Sequence, residues 1–170
     1  LFDHWIERPE KQALMLACNF FDLRPVHGDV RLFQRLHREV VAQAKENGIF
    51  LAHLAANAVR FKPPIGFFRN FLVESKGEHR DSFDIKAAMQ PVVDYARIYA
   101  LNHRVEETNT MGRLRELLNQ NKLSTQQYQE LDTVYSYLMQ QRFVRQVKAS
   151  LEENGKPDNY INPSKLSRIE

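Results

Sequence analysis

The chain has 170 residues, 24 lysines and arginines against 21 acids, a net charge of +3 and 43% apolar residues, which suits one soluble domain burying roughly two thirds of its unfolded surface. The slight basic excess is far from the dense positive charge of a nucleic-acid binder. No apolar run nears the roughly 20 residues that span a bilayer, and the one cysteine, Cys18, excludes an internal disulfide or a multi-thiolate zinc site, so the reading is a cytoplasmic protein with neither membrane nor nucleic acid as partner.

The first segment, "ALMLACNFFDLRPV", is apolar on nearly every side and ends at Pro25, the pattern of a buried strand in a neighbouring sheet. Residues 1–28 therefore read as the tail of an adjoining domain and residues 29–170 as a helical domain. The Leu1 start and the closing "SKLSRIE" read as a fragment of something larger. Within "FFDLRPVHGD" an acid and a base, Asp22 and Arg24, interrupt the apolar run. Buried charges must be paired or bind something, so this is either a salt bridge at a domain junction or the edge of a site.

From Asp29 to Asn47, Phe33, Leu36, Val40 and Ala44 recur at helical spacing, with Arg31, Arg35 and Arg38 on another side. This predicts an amphipathic helix with Asp29 as N-cap, closed by Gly48. "IFLAHLAANAVRF" gathers Leu51, Leu54, Ala55 and Ala58 on one face and stops at Pro63 and Pro64. Between Pro63 and Pro91 short aromatic runs flank "KGEHR", which reads as a short hairpin or irregular excursion. A third helix is expected from about Gln90 with Pro91 in its first turn, presenting Val93, Ala96 and Ala100. "TNTMGRLRELLNQN" offers Thr108 or Thr110 as cap to a fourth, with Met111, Leu114 and Leu118 as its stripe.

"LSTQQY" gives the clearest start: Ser124 as N-cap and Gln127 as its capping-box partner. A long helix follows, with a seam through Leu131, Tyr135, Leu138, Met139, Phe143, Val147 and Leu151 until Gly155. The tail "KPDNYINPSKLS" reads as ordered loop. The expected fold is mainly α: an up-and-down bundle of about five helices, with a short β-hairpin and the N-terminal strand-like segment.

The chemistry of a complete transferase is absent. The chain has no Gly-x-Gly, Gly-Ser or Asp-x-Asp, and its six histidines show no His-x-x-x-His spacing, so nothing in it forms a phosphate cradle or metal site alone.

Five motifs, "FFDLRPVHGD", "PPIGFFRNFLVESKGEHRDSFDIK", "PVVDYARIYAL", "TNTMGRLREL" and "GKPDNYINPSKLS", resemble in that order the C-terminal part of the nucleotidyltransferases of bacterial signalling proteins, and more distantly the uridylyl- and adenylyltransferases of nitrogen regulation. In that family a cyclic-nucleotide-binding domain, a CBS pair and the nucleotidyltransferase domain precede a helical substrate-binding domain. The resemblance implies one wall of a nucleotide-transfer cleft, non-catalytic alone, with Mg²⁺ and a nucleoside triphosphate held by the upstream Gly-Ser and Asp-x-Asp domain. Those upstream domains are the implied partners, with a protein acceptor and a second copy of the chain as further ones.

By the same resemblance Asp22 matches an acid that serves as a third carboxylate, with Arg24 for the polyphosphate. Lys86 and Asp94 match a lysine and an aspartate at the cleft lip, where the family's Gly-Gly turn is replaced here by Ala87, Ala88, Met89 and Gln90. Arg97 completes the substrate-binding set; the structural alternative is that it pairs with Asp94 on the helix surface. Arg142, Arg145 and Lys148 form a basic stripe that is either a phosphate site or the wet side of a helix. Phe67, Phe68 and Phe71 stack on a base or fill the core. The competing functional class is a signal-relay or dimerisation module attached to an inactive transferase.

Overall fold

The computed structural model describes residues 2–7, 11–66, 71–151 and 157–166. These are mainly helical, with a small two-stranded antiparallel sheet. In chain order the elements are α1 (Phe2–Glu7), α2 (Lys11–Phe21), α3 (Val30–Glu46), α4 (Gly48–Ala58), β1 (Phe83–Asp84), α5 (Ile85–Asn102), α6 (Thr110–Asn119), α7 (Thr125–Leu151) and β2 (Tyr160–Ile161), followed by a 3-10 turn at Pro163–Lys165. No helix among the described residues is long and apolar enough to cross a membrane. The chain divides into two compact units, Leu1–Arg60 with Val93–Gln129, and Phe61–Val92 with Glu130–Glu170.

The first unit is built around Trp5, Leu14, Phe21, Val41, Phe50 and Leu101, all buried in one apolar cluster. Its main departure from expectation is the N-terminal segment, which is the helix α2 and not a strand. Leu14, Ala17 and Phe21 are its buried residues, at steps of three and four; an all-apolar run carries no period of its own, and Pro25 falls beyond the helix end, where it breaks nothing. Helices α1 and α2 thus supply much of the core shared with α3 and α4.

In α3, Asp29 caps as expected, accepting from the Arg31 N–H at 2.9 Å. The buried face is His37, Val40, Val41 and Ala44; it keeps the expected Val40 and Ala44 but takes His37 and Val41 in place of Phe33 and Leu36, the latter 45% exposed. Arg31, Arg35 and Arg38 are exposed. His37 fits inside because its Nε2 donates to the Glu106 carbonyl at 2.9 Å. Gly48 opens α4 instead of closing α3. Asn47 is C-cap to one helix and N-cap to the next, its Oδ1 accepting from the Phe50 N–H at 2.9 Å and its Nδ2 donating to the Ile6 carbonyl at 2.9 Å. Asn109, not either neighbouring threonine, caps α6, accepting from the Gly112 N–H at 2.7 Å. A Cβ at Gly112 would stand 2.6 Å from Glu107 Oε2 and 2.8 Å from Asn109 Nδ2, so a larger residue there would push aside the Glu107 carboxylate and crowd the capping Asn109 side chain.

In the second unit β1 pairs with β2, Phe83 opposite Ile161 and Asp84 opposite Tyr160. One strand of the sheet therefore comes from the tail that reads as loop. Isolated bridges join Ile65 to Phe71 and Glu74 to Arg80, the second around a turn whose Gly77 takes φ 84°. Helix α5 begins at Ile85, five residues before the expected start, because Asp84 Oδ1 accepts from the Lys86 and Ala87 N–H groups at 2.9 and 3.3 Å; Pro91 consequently sits inside the helix. Ser124 and Gln127 form the expected capping box at the start of α7, at 2.9 and 3.1 Å. The α7 seam is covered only in part: Leu131, Tyr135 and Leu138 are half-buried, whereas Met139, Phe143, Val147 and Leu151 are 41%, 66%, 37% and 79% exposed. Phe71 is exposed and stacks on Phe83, centroids 4.9 Å apart. Phe67, Phe68 and the expected helix end at Gly155 lie outside the described residues.

Candidate functional site

The charge in the apolar "FFDLR" stretch is satisfied from far along the chain. Asp22 lies just past the end of α2, its N–H bonded to the Asn19 carbonyl at 3.2 Å. Its carboxylate faces two arginines. Arg97 on α5 donates Nε to Oδ1 at 3.2 Å and Nη2 to Oδ2 at 2.5 Å. Arg113 on α6 donates Nη1 to Oδ1 at 2.7 Å. The remaining donors of Arg113 reach main-chain carbonyls, Nη2 to Phe21 at 2.7 Å and Nε to Glu107 at 2.8 Å. Arg97 Nη1 turns to Asp94 Oδ1, also 2.7 Å away.

Two arginines and two aspartates make a group of zero net charge, in which rigid guanidinium forks are matched by carboxylates and carbonyls. The arginine side chains are nearly sealed, 7% and 3% exposed, while Asp22 keeps 37% of its side chain in contact with solvent. Burial acts to raise the Asp22 carboxyl, but hydrogen bonds and charge from Arg97 and charge from Arg113 outweigh it and hold it below the usual carboxylate range. Both arginines stay charged. Cys18, half-buried beside the group, has its thiol pushed up by burial, the opposite of an activated nucleophile.

Asp22, Asp94 and Arg97 are therefore brought together. The alternative of an Asp22–Arg24 bridge does not form: Arg24 is exposed and outside the network. The Asp94–Arg97 pair is real but buried, not on the helix surface. Lys86 belongs to the second unit, exposed in the first turn of α5. Arg113 is the member that sequence reasoning passes over. Its signal is positional, because Thr110, Arg113, Leu114 and Leu117 are the buried residues of α6, so the arginine occupies a core phase of an amphipathic helix.

The residues present do not fit a divalent cation. Each Asp22 oxygen already accepts from a guanidinium, and Asp94 is held by Arg97, so a metal here would meet two fixed positive charges. Residues 48–170 match the family described as "Putative nucleotidyltransferase substrate binding domain". No curated protein and no solved structure matches the chain.

Proposed function

Because the chain belongs to the nucleotidyltransferase substrate-binding-domain family, we propose that it forms one wall of a nucleotide-transfer cleft in a bacterial signalling protein and is not catalytic alone. The family match over residues 48–170 carries this reading. A nucleotidyltransferase domain with Gly-Ser and Asp-x-Asp, and the Mg²⁺ and nucleoside triphosphate it binds, complete the enzyme, with CBS and cyclic-nucleotide-binding domains as its regulators.

In this reading Asp22 is not a metal ligand. It is an ionised anchor that, through Arg97, Arg113 and Asp94, fixes the end of α2 and the loop carrying Arg24. Exposed Arg24 makes a phosphate contact on the first unit, and exposed Lys86, on the second, is a separate point charge for phosphate. The test is nucleotide transfer by the protein expressed from its full gene, with Mg²⁺ and each triphosphate in turn. Arg24→Ala and Lys86→Ala are expected to raise KM for the nucleotide by about tenfold each, the loss of one charge-assisted hydrogen bond, with an unchanged thermal midpoint. Absence of transfer with every triphosphate, or variants that match wild type, would sink the reading.

A second reading, in which the domain joins two copies of the chain, draws on the exposed Met139, Phe143, Val147 and Leu151 of α7. An antiparallel two-fold pairing of α7 sets Phe143 against Val147 and Met139 against Leu151, a self-complementary apolar patch. Sedimentation equilibrium decides it: a dimer that Phe143→Glu dissolves supports the pairing, and a concentration-independent monomer removes it.

A further inference from the structure

We propose that a cavity in the second unit binds the phosphate group of a small molecule. The inference rests on the substrate-binding reading and gives it a ligand chemistry and a place. The cavity has a volume of about 340 Å³, at the small end of the roughly 300–1,000 Å³ usual for ligand sites. Arg145 and Lys148, one turn apart on α7, line one side; His79 and Tyr160 line another, their rings parallel within 6° and 3.7 Å apart. Val144 and Ile161 add apolar wall.

These walls are tied to one another. Arg145 donates Nε and Nη2 to the two oxygens of Asp158 at 3.0 and 2.6 Å, and Asp158 Oδ1 also accepts the Tyr160 N–H at 2.9 Å. Arg142 Nε reaches Asn159 Oδ1 at 2.9 Å, and β2 is paired to β1. The strand carrying Tyr160 is thus held on α7 before any ligand arrives, which lowers the entropy that binding must overcome.

The basic stripe Arg142, Arg145 and Lys148 is unexplained by the network around Asp22, and it is not simply the wet side of a helix. The Arg145 side chain is only 25% exposed, and Arg142 is half-buried. Of the lining residues Arg145 and Lys148 are cations and Glu78 is an acid, leaving one positive charge on the wall; Arg145 pairs with Asp158, which lies outside the lining, and Lys148 is exposed and in no described ion pair. That balance selects an anion, and a partly enclosed site beside a flat aromatic wall suits a phosphate carried on a ring-bearing molecule better than a bare cation or a neutral sugar. None of Asp22, Arg24, Lys86, Asp94 and Arg97 lines this cavity.

Calorimetric titration of the chain with AMP, inorganic phosphate and adenosine tests the proposal. AMP is expected to bind, and adenosine at least about tenfold more weakly. Lys148→Gln should weaken AMP by about tenfold, the value of one charge-assisted hydrogen bond, while Lys148→Arg restores it. Inorganic phosphate binding as tightly as AMP also supports a phosphate site and shows the ring wall to be idle; weaker binding assigns the ligand to the phosphorylated molecule. Equal affinity for AMP and adenosine, no binding of any phosphate, or a Lys148→Gln variant indistinguishable from wild type overturns it. If the full protein transfers nucleotide through Arg24 and Lys86 while this cavity takes no phosphate, only this inference fails; phosphate binding here without transfer condemns the enzymatic reading instead.

Discussion

Replacing Arg113 by methionine tests whether the arginine network holds the first unit together. The side chain is 3% exposed and donates to Asp22, the Phe21 carbonyl and the Glu107 carbonyl at 2.7, 2.7 and 2.8 Å. Methionine fills similar space but leaves the two carbonyls without this donor, at about 1–3 kcal/mol each. The Asp22 contact adds at most about 1 kcal/mol, because that carboxylate is over one-third solvent-exposed and keeps Arg97. Relief of guanidinium desolvation offsets part of the sum, so the net loss is about 3 kcal/mol, near the lower end of the range for breaking a buried ion pair. With a urea slope of about 2 kcal/mol per M, the midpoint followed by circular dichroism should fall by about 1.5 M. Arg115, exposed on the same helix, is the control, and Arg115→Met should stay within about 0.5 kcal/mol of wild type. If Arg113→Met falls inside that same band, the network is ornamental and the account of the first unit is wrong.

Three other outcomes follow from particular contacts. The folded-state carboxyl of Asp22 lies below its ordinary value of 3.8, so its contribution is complete above that pH and is lost as pH falls through the lower folded value; Asp22→Asn, compared with wild type by acid titration of stability, should flatten that part of the acid limb and cost about 1 kcal/mol at neutral pH. Phe50, fully buried at 0% exposure, should cost about 3–5 kcal/mol on replacement by alanine, read as a fall in thermal midpoint; a loss under about 1 kcal/mol would mean that this core is loosely packed. Ser124→Ala removes the oxygen that accepts the Gln127 N–H at 3.1 Å and should lower stability by about 1 kcal/mol, whereas Thr125→Ala, beside it and exposed, should not.

Helices whose signals are local were legible in the sequence. Asp29 and the Ser124–Gln127 box stand where they were expected, because a cap is a matter of three or four neighbouring residues. The phase of a helix was less legible. In α3 Val40 and Ala44 of the expected stripe are buried, but Phe33 and Leu36 give way to His37 and Val41, since a histidine with a carbonyl partner can take a place that polarity alone would deny it. Helix α2 is not legible as a helix, because an unbroken apolar run fits a buried strand and a buried helix equally. The Phe83–Ile161 pairing joins segments nearly half the chain apart and depends on the fold to bring two short segments together.

The site was half-legible for the same reason. Asp22 stands out in the sequence as a charge needing a partner, but neighbouring Arg24 does not meet it, because residues two apart beyond a helix end need not face one another. The usable signal lay in helical phase. Arg113 shares the buried face of α6 with Thr110, Leu114 and Leu117, and Asp94 and Arg97 share one turn of α5 with buried Ala96, Ala100 and Leu101 following. A guanidinium at a core phase must find acceptors or destabilise the fold. Asp94 lies within reach of Arg97 but leaves Arg113 and the rest of the Arg97 fork unmet, so a second acid has to come from elsewhere in the unit, and Asp22 is the acid set inside an apolar stretch. Ranking helical phase above charge would have joined these residues across 75 and 91 positions of sequence. The order of inference matters for function too: once both oxygens of Asp22 are spoken for, it is an anchor before it can be a ligand.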